Sequence, residues 1–220
     1  MNFSEYLKNN IVHLDGGMGT LLQAQGLTPG EHPEKWNVSH PEIITDIHKN
    51  YFNSGSNVVC TNTFGANSLK FNDTDLEEII KSAISNAKKA RELSETTHEK
   101  FIALDIGPTG KLLKPLGDLD FEDAVTVFSK TVNLGVKYGV DLILIETMND
   151  SYETKAALLA VKENCDLPVL VSNAYNEDGK LMTGASPAAM VALLEGMGAT
   201  AIGANCSLGK KKKKNVAMEL

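Results

Sequence analysis

Short apolar runs alternate along the chain with longer polar segments whose hydrophobic positions recur every three or four residues. The first run, Ile11-Val12-His13-Leu14-Asp15, predicts a strand that ends in a glycine-rich turn. Further strands are predicted over 57–62, 101–106, 141–146, 168–172 and 199–206. Between them, Ile43, Ile44, Ile47 and Tyr51 share one helical face, as do Leu76, Ile79, Ile80, Ala83, Ile84 and Ala87. Phe121, Val125, Phe128 and Val132 mark a third helix, and Leu158 and Val161 a fourth. Ser186-Pro187 supplies an N-cap and a first-turn proline for a fifth, through Val191 and Leu194.

Strands that read as continuous apolar runs are buried on both faces, which requires parallel pairing under a cover of helices. The alternation therefore predicts an α/β fold, either an open sheet or a closed barrel. Polar residues terminate successive strands: Asp15, Asn62, Asp105, Glu146, Asn173 and Cys206. A barrel gathers such ends at one mouth, so the pattern predicts a (β/α)8 TIM-type barrel, of which about six βα units are legible.

Composition adds limits. The chain has 220 residues, 42% hydrophobic and 22% charged, as a soluble globular protein would have. A formal charge of -7 argues against nucleic-acid and anionic-membrane partners. No apolar run approaches the ~20 residues that span a bilayer, and the N-terminus lacks the basic-then-apolar pattern of a signal peptide. Three cysteines, Cys60, Cys165 and Cys206, make no disulfide framework, and a reducing cytoplasmic location is expected. The domain expected is one incomplete barrel over 1–209, followed by an atypical lysine-rich tail over 210–220.

Two glycine loops fail as nucleotide sites. Asp15-Gly16-Gly17-Met18-Gly19 has Leu22 where the dinucleotide fingerprint needs glycine. Gly107-Pro108-Thr109-Gly110-Lys111 is too short for a P-loop, and Leu112 replaces the metal-binding hydroxyl. Both are expected to be turns that use glycine at positive φ. The first could also hold a small zwitterion, with backbone N–H groups facing a carboxylate and an acid facing an ammonium. Glu146, ending a buried strand, is a second such acid, or else an internal ion-pair partner. Cys60 and Cys165 are expected to pack as small apolar residues. The five histidines, His13, His32, His40, His48 and His98, have no metal-binding spacing and are expected on the surface or in packing roles. Cys206 stands apart at a strand exit, beside Asn205.

Taken in order, several stretches resemble the homocysteine S-methyltransferase family. They are Leu14 to Thr20, Trp36-Asn37 with His40-Pro41-Glu42, Thr61 to Asn67, Ile106 to Gly110, Glu146-Thr147-Met148, Asp178-Gly179 and Gly203 to Cys206. The branch most similar is the N-terminal homocysteine-binding module of cobalamin-dependent methionine synthases. The resemblance implies a zinc-dependent barrel that transfers a methyl group to the thiol of homocysteine, giving methionine. It implies that Cys206 is the first of three zinc-binding cysteines, the others lying in a Gly-Gly-Cys-Cys segment that is not found here. It further implies that Asp15, Gly16, Gly17, Met18 and Glu146 receive the amino-acid end of homocysteine, with Asn62 and Asn205 near the same mouth. Methylcobalamin and methyltetrahydrofolate would act through other modules.

After Gly209 the family pattern gives way to Lys210 through Lys214, so a truncated or frame-shifted barrel is expected, catalytically weak or inactive. Two alternatives stay open. One is a non-catalytic homocysteine-binding or interaction fragment without a complete zinc site. The other is an unrelated barrel enzyme using Glu146 and Asp105 as acid and base.

Overall fold

The computed structural model describes residues 2–206 and 216–218. The expected domain boundary after residue 209, and most of the lysine-rich tail, lie outside the described residues. The chain divides into two units, one of Met1–Asp105 with Leu134–Leu142, the other of Ile106–Asn133 with Ile143–Leu220.

Strands and helices alternate from residue 58 onward. The strands are β1 (Val58–Cys60), β2 (Phe101–Ile106), β3 (Leu142–Met148), β4 (Val169–Asn173) and β5 (Ala201–Ala204). The helices are α1 (Phe3–Leu7), α2 (Gly19–Ala24), α3 (Trp36–Ser39), α4 (Pro41–Asn53), α5 (Asp73–Leu93), α6 (Phe121–Tyr138), α7 (Ser151–Asn164) and α8 (Pro187–Gly196). The predicted α/β class is therefore correct, with five strands among the described residues.

In the first unit β1 pairs parallel with β2, Val59 opposite Ile102. Every residue of β2 is buried, which is why Phe101 to Ile106 is apolar at every position but Asp105. The predicted first strand is a correction. It shrinks to a single parallel bridge between Leu14 and Val58, while Ile11 is 82% exposed. An apolar run makes a strand only where both its edges and its faces find partners, and Ile11 finds neither core nor ladder. Of the six expected strands, five form.

Helix α5 starts where Asn72 caps it, accepting a bond from the Asp75 N–H. It buries Leu76, Ile79, Ile80, Ala83, Ile84 and Ala87, the full predicted stripe. A smaller core of Leu22, Leu27, Trp36, Ile44 and Ile47 lies under α2 and α4, with Met18 and Tyr51 packed against it. His48, also on α4, is completely buried, and neither ring nitrogen has a hydrogen-bond partner among the described residues. Burial lowers its pKa to about 4, so the imidazole is neutral at pH 7.

In the second unit β3, β4 and β5 pair in parallel, Leu144 opposite Leu170 and Val171 opposite Ile202. Helix α8 begins where the sequence predicts, with the Ser186 side chain accepting from the Ala189 N–H. Strand β5 is only half-buried along its length, contrary to the expectation of a buried run. Among the described residues no helix is long and apolar enough to cross a membrane.

Candidate functional site

In the first unit, the loop after the Leu14 bridge is tied down from two sides. Asp15 Oδ2 accepts a 2.8 Å bond from the Cys60 N–H, fastening the loop to the end of β1. Tyr51, reaching up from α4, donates to the Gly17 carbonyl at 3.1 Å. Gly16 packs against this ring so closely that a Cβ would lie 2.9 Å from the tyrosine oxygen. Close approach, then, is what requires glycine here. The expected positive φ is a correction, since left-handed backbone is found at Gly110 but not at Gly16, Gly17 or Gly19. Tyr51 holds its proton more tightly than a free phenol, because of burial first and the nearby Asp15 charge second. Nothing in its sequence context but its place on the α4 stripe hinted at this role.

Asn62 is buried, and its Nδ2 donates to the Pro33 carbonyl at 2.8 Å. Its own carbonyl accepts from Asn37 Nδ2 at 2.7 Å. The amide of Gly65 donates to the buried Glu34 carboxylate at 2.8 Å. These motif residues form a polar clamp that spans 31 residues between Glu34 and Gly65. An added Cβ at Gly65 would collide with that same carboxylate oxygen. Gly65→Ala should therefore lose about 2 to 3 kcal/mol of unfolding free energy, from overpacking and a displaced buried acceptor. Urea denaturation of the two proteins checks this, and equal midpoints would refute the clamp.

Asp105, one residue before the end of β2, has its backbone engaged. Its N–H donates to Thr61 Oγ1 at 3.1 Å and its carbonyl accepts from Thr63 Oγ1 at 2.8 Å.

The second unit contains a tighter cluster. Strand β3 runs on past Glu146, the predicted last residue, through Thr147 to Met148. It does so irregularly, with a register shift between Ile145 and Met148. Thr147 sits at φ 60° and Cys206 at φ 53°, and these are the two non-glycine residues with positive φ among the described residues. For a β-branched residue this backbone is strained, costing on the order of 1–3 kcal/mol. Asn205 holds the pair. Its Oδ1 accepts from the Thr147 N–H and from Ser172 Oγ, each at 3.1 Å. Its Nδ2 donates to Thr147 Oγ1 at 2.7 Å and to Glu146 Oε2 at 3.1 Å, with Cys206 Sγ at 3.6 Å. Thr147 Oγ1 stands 3.7 Å from the same sulfur.

Glu146 is half-buried. Burial raises its pKa, so its ionised form gains from any cation delivered to it. Among the described residues, a carboxamide rather than a cation meets its oxygen. Cys206 is exposed, whereas Cys60 and Cys165 are half-buried.

The donor set around Cys206 is one thiol, one hydroxyl and one carboxamide. Zinc sites take three or four thiolate, imidazole or carboxylate ligands. Among the described residues no group of three such side chains converges, so these residues alone do not fit the implied zinc ion.

In the second unit, then, one carboxylate, one exposed thiol and two strained residues lie together beside parallel strands. A model of the family described as homocysteine S-methyltransferase matches residues 12–220, and the chain belongs to that family. A methionine synthase of Mycobacterium leprae is 28% identical over 93% of this chain. The chain spans 18% of the length of that relative. The metallated form of the Escherichia coli homocysteine methyltransferase MmuM superposes with a TM-score of 0.84 at 22% identity, covering 96% of this chain and 79% of that one. The apo form of the same protein gives a TM-score of 0.78 at 23% identity, over 96% and 77%. At that identity the likeness concerns the fold.

Proposed function

We propose that this chain binds homocysteine and presents its thiol for methylation to methionine. The observation that carries the reading is the Glu146–Asn205–Cys206 cluster. A half-buried carboxylate without a cationic partner among the described residues sits one carboxamide away from an exposed sulfur. Homocysteine carries the complements, an ammonium at one end and a thiol at the other. Glu146 receives the ammonium, and the substrate's sulfur points toward Cys206. Asp15, Gly16, Gly17, Met18 and Asn62 are proposed as further homocysteine-binding residues, on family resemblance.

In the transfer, the thiol gives up its proton and a sulfur lone pair forms the new S–CH3 bond. The donor keeps the electrons of the bond that breaks. The chain's own contribution is to bind the amino-acid end and hold the sulfur still, which converts an encounter into an oriented approach. Methylcobalamin, recharged from methyltetrahydrofolate on other modules, is the donor proposed from the resemblance to the methionine synthase branch. Cys206 is proposed as one zinc ligand, and the remaining ligands are not among the described residues.

One observation favours a second reading. With a single thiol at the described site, the chain could bind homocysteine without turning it over. Calorimetric titration with homocysteine, paired with a zinc assay and a methyl-transfer assay, separates the readings. Binding with stoichiometric zinc and turnover, both lost in Cys206→Ser, supports the methyltransferase. Binding without metal or turnover supports the second reading. No binding refutes both.

A further inference from the structure

We propose that Asn205 is a positioning residue, one carboxamide that sets the Glu146 carboxylate and the Thr147–Cys206 turn in their working arrangement. The inference rests on the homocysteine-binding reading and deepens it.

The orientation of the amide is fixed by elementary donor logic. A backbone N–H can only donate, so the atom facing the Thr147 N–H at 3.1 Å must be the oxygen. Ser172 Oγ then donates to that oxygen as well, at 3.1 Å. The nitrogen is left facing Thr147 Oγ1 at 2.7 Å, Glu146 Oε2 at 3.1 Å and Cys206 Sγ at 3.6 Å. Two N–H protons face three acceptors, and the two oxygens, being closer and better acceptors, take them. The Thr147 hydroxyl, already accepting from Nδ2, keeps its own proton for a further acceptor, and the sulfur stands 3.7 Å away.

No other side chain serves all these contacts. Aspartate would lack the donor and place a second negative charge against Glu146. Serine would be too short to span both neighbours. Alanine would leave Thr147 in a left-handed conformation with nothing to hold it there. The backbone of Asn205 is itself anchored, its N–H donating to the Asn173 carbonyl at 3.2 Å. A firmly held main chain thus delivers the side chain to two strained residues and one carboxylate. Strain of this kind persists where the surroundings over-determine it, and here Asn205 supplies that determination.

The test uses the full chain, with Asn205→Ala, Thr147→Gly and the double variant. Glycine accepts positive φ freely, so Thr147→Gly removes the need for a backbone clamp while leaving Glu146 in place. Two readouts are taken: hydrogen exchange at the residue-147 amide, and homocysteine affinity by calorimetry. In Asn205→Ala the amide should exchange at least 10-fold faster and affinity should fall roughly 10-fold. In the double variant affinity should stay low, because Glu146 remains unoriented. Wild-type affinity in the double variant would reduce Asn205 to a backbone support and overturn the proposal. Unchanged exchange in Asn205→Ala would overturn it equally. Should the wild-type chain take up no homocysteine, the functional reading fails, and the exchange measurement alone decides whether Asn205 holds the turn.

Discussion

Glu146→Gln should weaken homocysteine binding roughly 10- to 100-fold while leaving the fold intact. The substitution is nearly isosteric, so Asn205 Nδ2 can still meet an oxygen where it now meets Glu146 Oε2 at 3.1 Å. What disappears is the charge. A charge-assisted bond to an ammonium contributes on the order of 1.5–3 kcal/mol, which converts to that range of affinity. The wild-type protein should also show a pH dependence that the variant lacks. Burial raises the pKa of Glu146 above the ordinary glutamate value. The ligand-binding form is the ionised one, so affinity is full above that raised pKa and declines as pH falls through it. Isothermal titration across mildly acidic to neutral pH reads both effects. A variant that binds as tightly as wild type, with the same pH profile, would remove Glu146 from the site.

Much of the scaffold was legible because buried parallel strands advertise themselves. Phe101 to Ile106 is apolar at every position but Asp105 and buried throughout, and the predicted bounds match the observed ones. The α5 stripe and the Ser186 cap were equally plain, since each depends on neighbours within one or two turns. Failures came where distant contacts decided. Ile11 belongs to an apolar run yet stays exposed, because no second strand reaches it. Glu34 and Glu153 look like surface carboxylates in sequence. The first is buried against an amide 31 residues away, and the second accepts from Thr109 N–H at 2.8 Å and Thr109 Oγ1 at 2.6 Å, 44 residues away.

The candidate site divides the same way. Glu146 and Cys206 could be singled out, being polar residues where apolar strands stop. Thr147 could not, since a β-branched residue in an apolar run argues for extended backbone. Its left-handed φ is imposed by Asn205, 58 residues later. Several residues of the matching motifs serve the fold. Asn37, Asn62, Gly65 and Thr109 mostly hold loops together, and a motif does not say whether it binds a ligand or the rest of the chain.

Acid should destabilise this protein through His48, by about 3 kcal/mol between neutral pH and pH 4. In the unfolded chain His48 titrates with the ordinary pKa of 6.5; in the fold, burial lowers it to about 4. The folded-state pKa is the depressed one, so the stability is fully present above 6.5. As pH falls below 6.5 the unfolded chain binds a proton that the folded chain refuses, and stability drops until pH passes about 4. The fall from 6.5 to about 4, at about 1.36 kcal/mol for each tenfold change in proton affinity, gives that magnitude. Glu146 acts in the opposite sense, because its raised pKa lets the fold take up a proton first. The clean comparison is therefore with His48→Leu, a side chain of similar volume. Both ring nitrogens of His48 are buried without partners among the described residues, so the variant should already be about 1–2 kcal/mol more stable at pH 7. Its advantage should widen by about 3 kcal/mol as pH approaches 4. Urea titrations of the two proteins at several pH values measure the difference directly, and a gap independent of pH would show that His48 becomes protonated without leaving its place in the core.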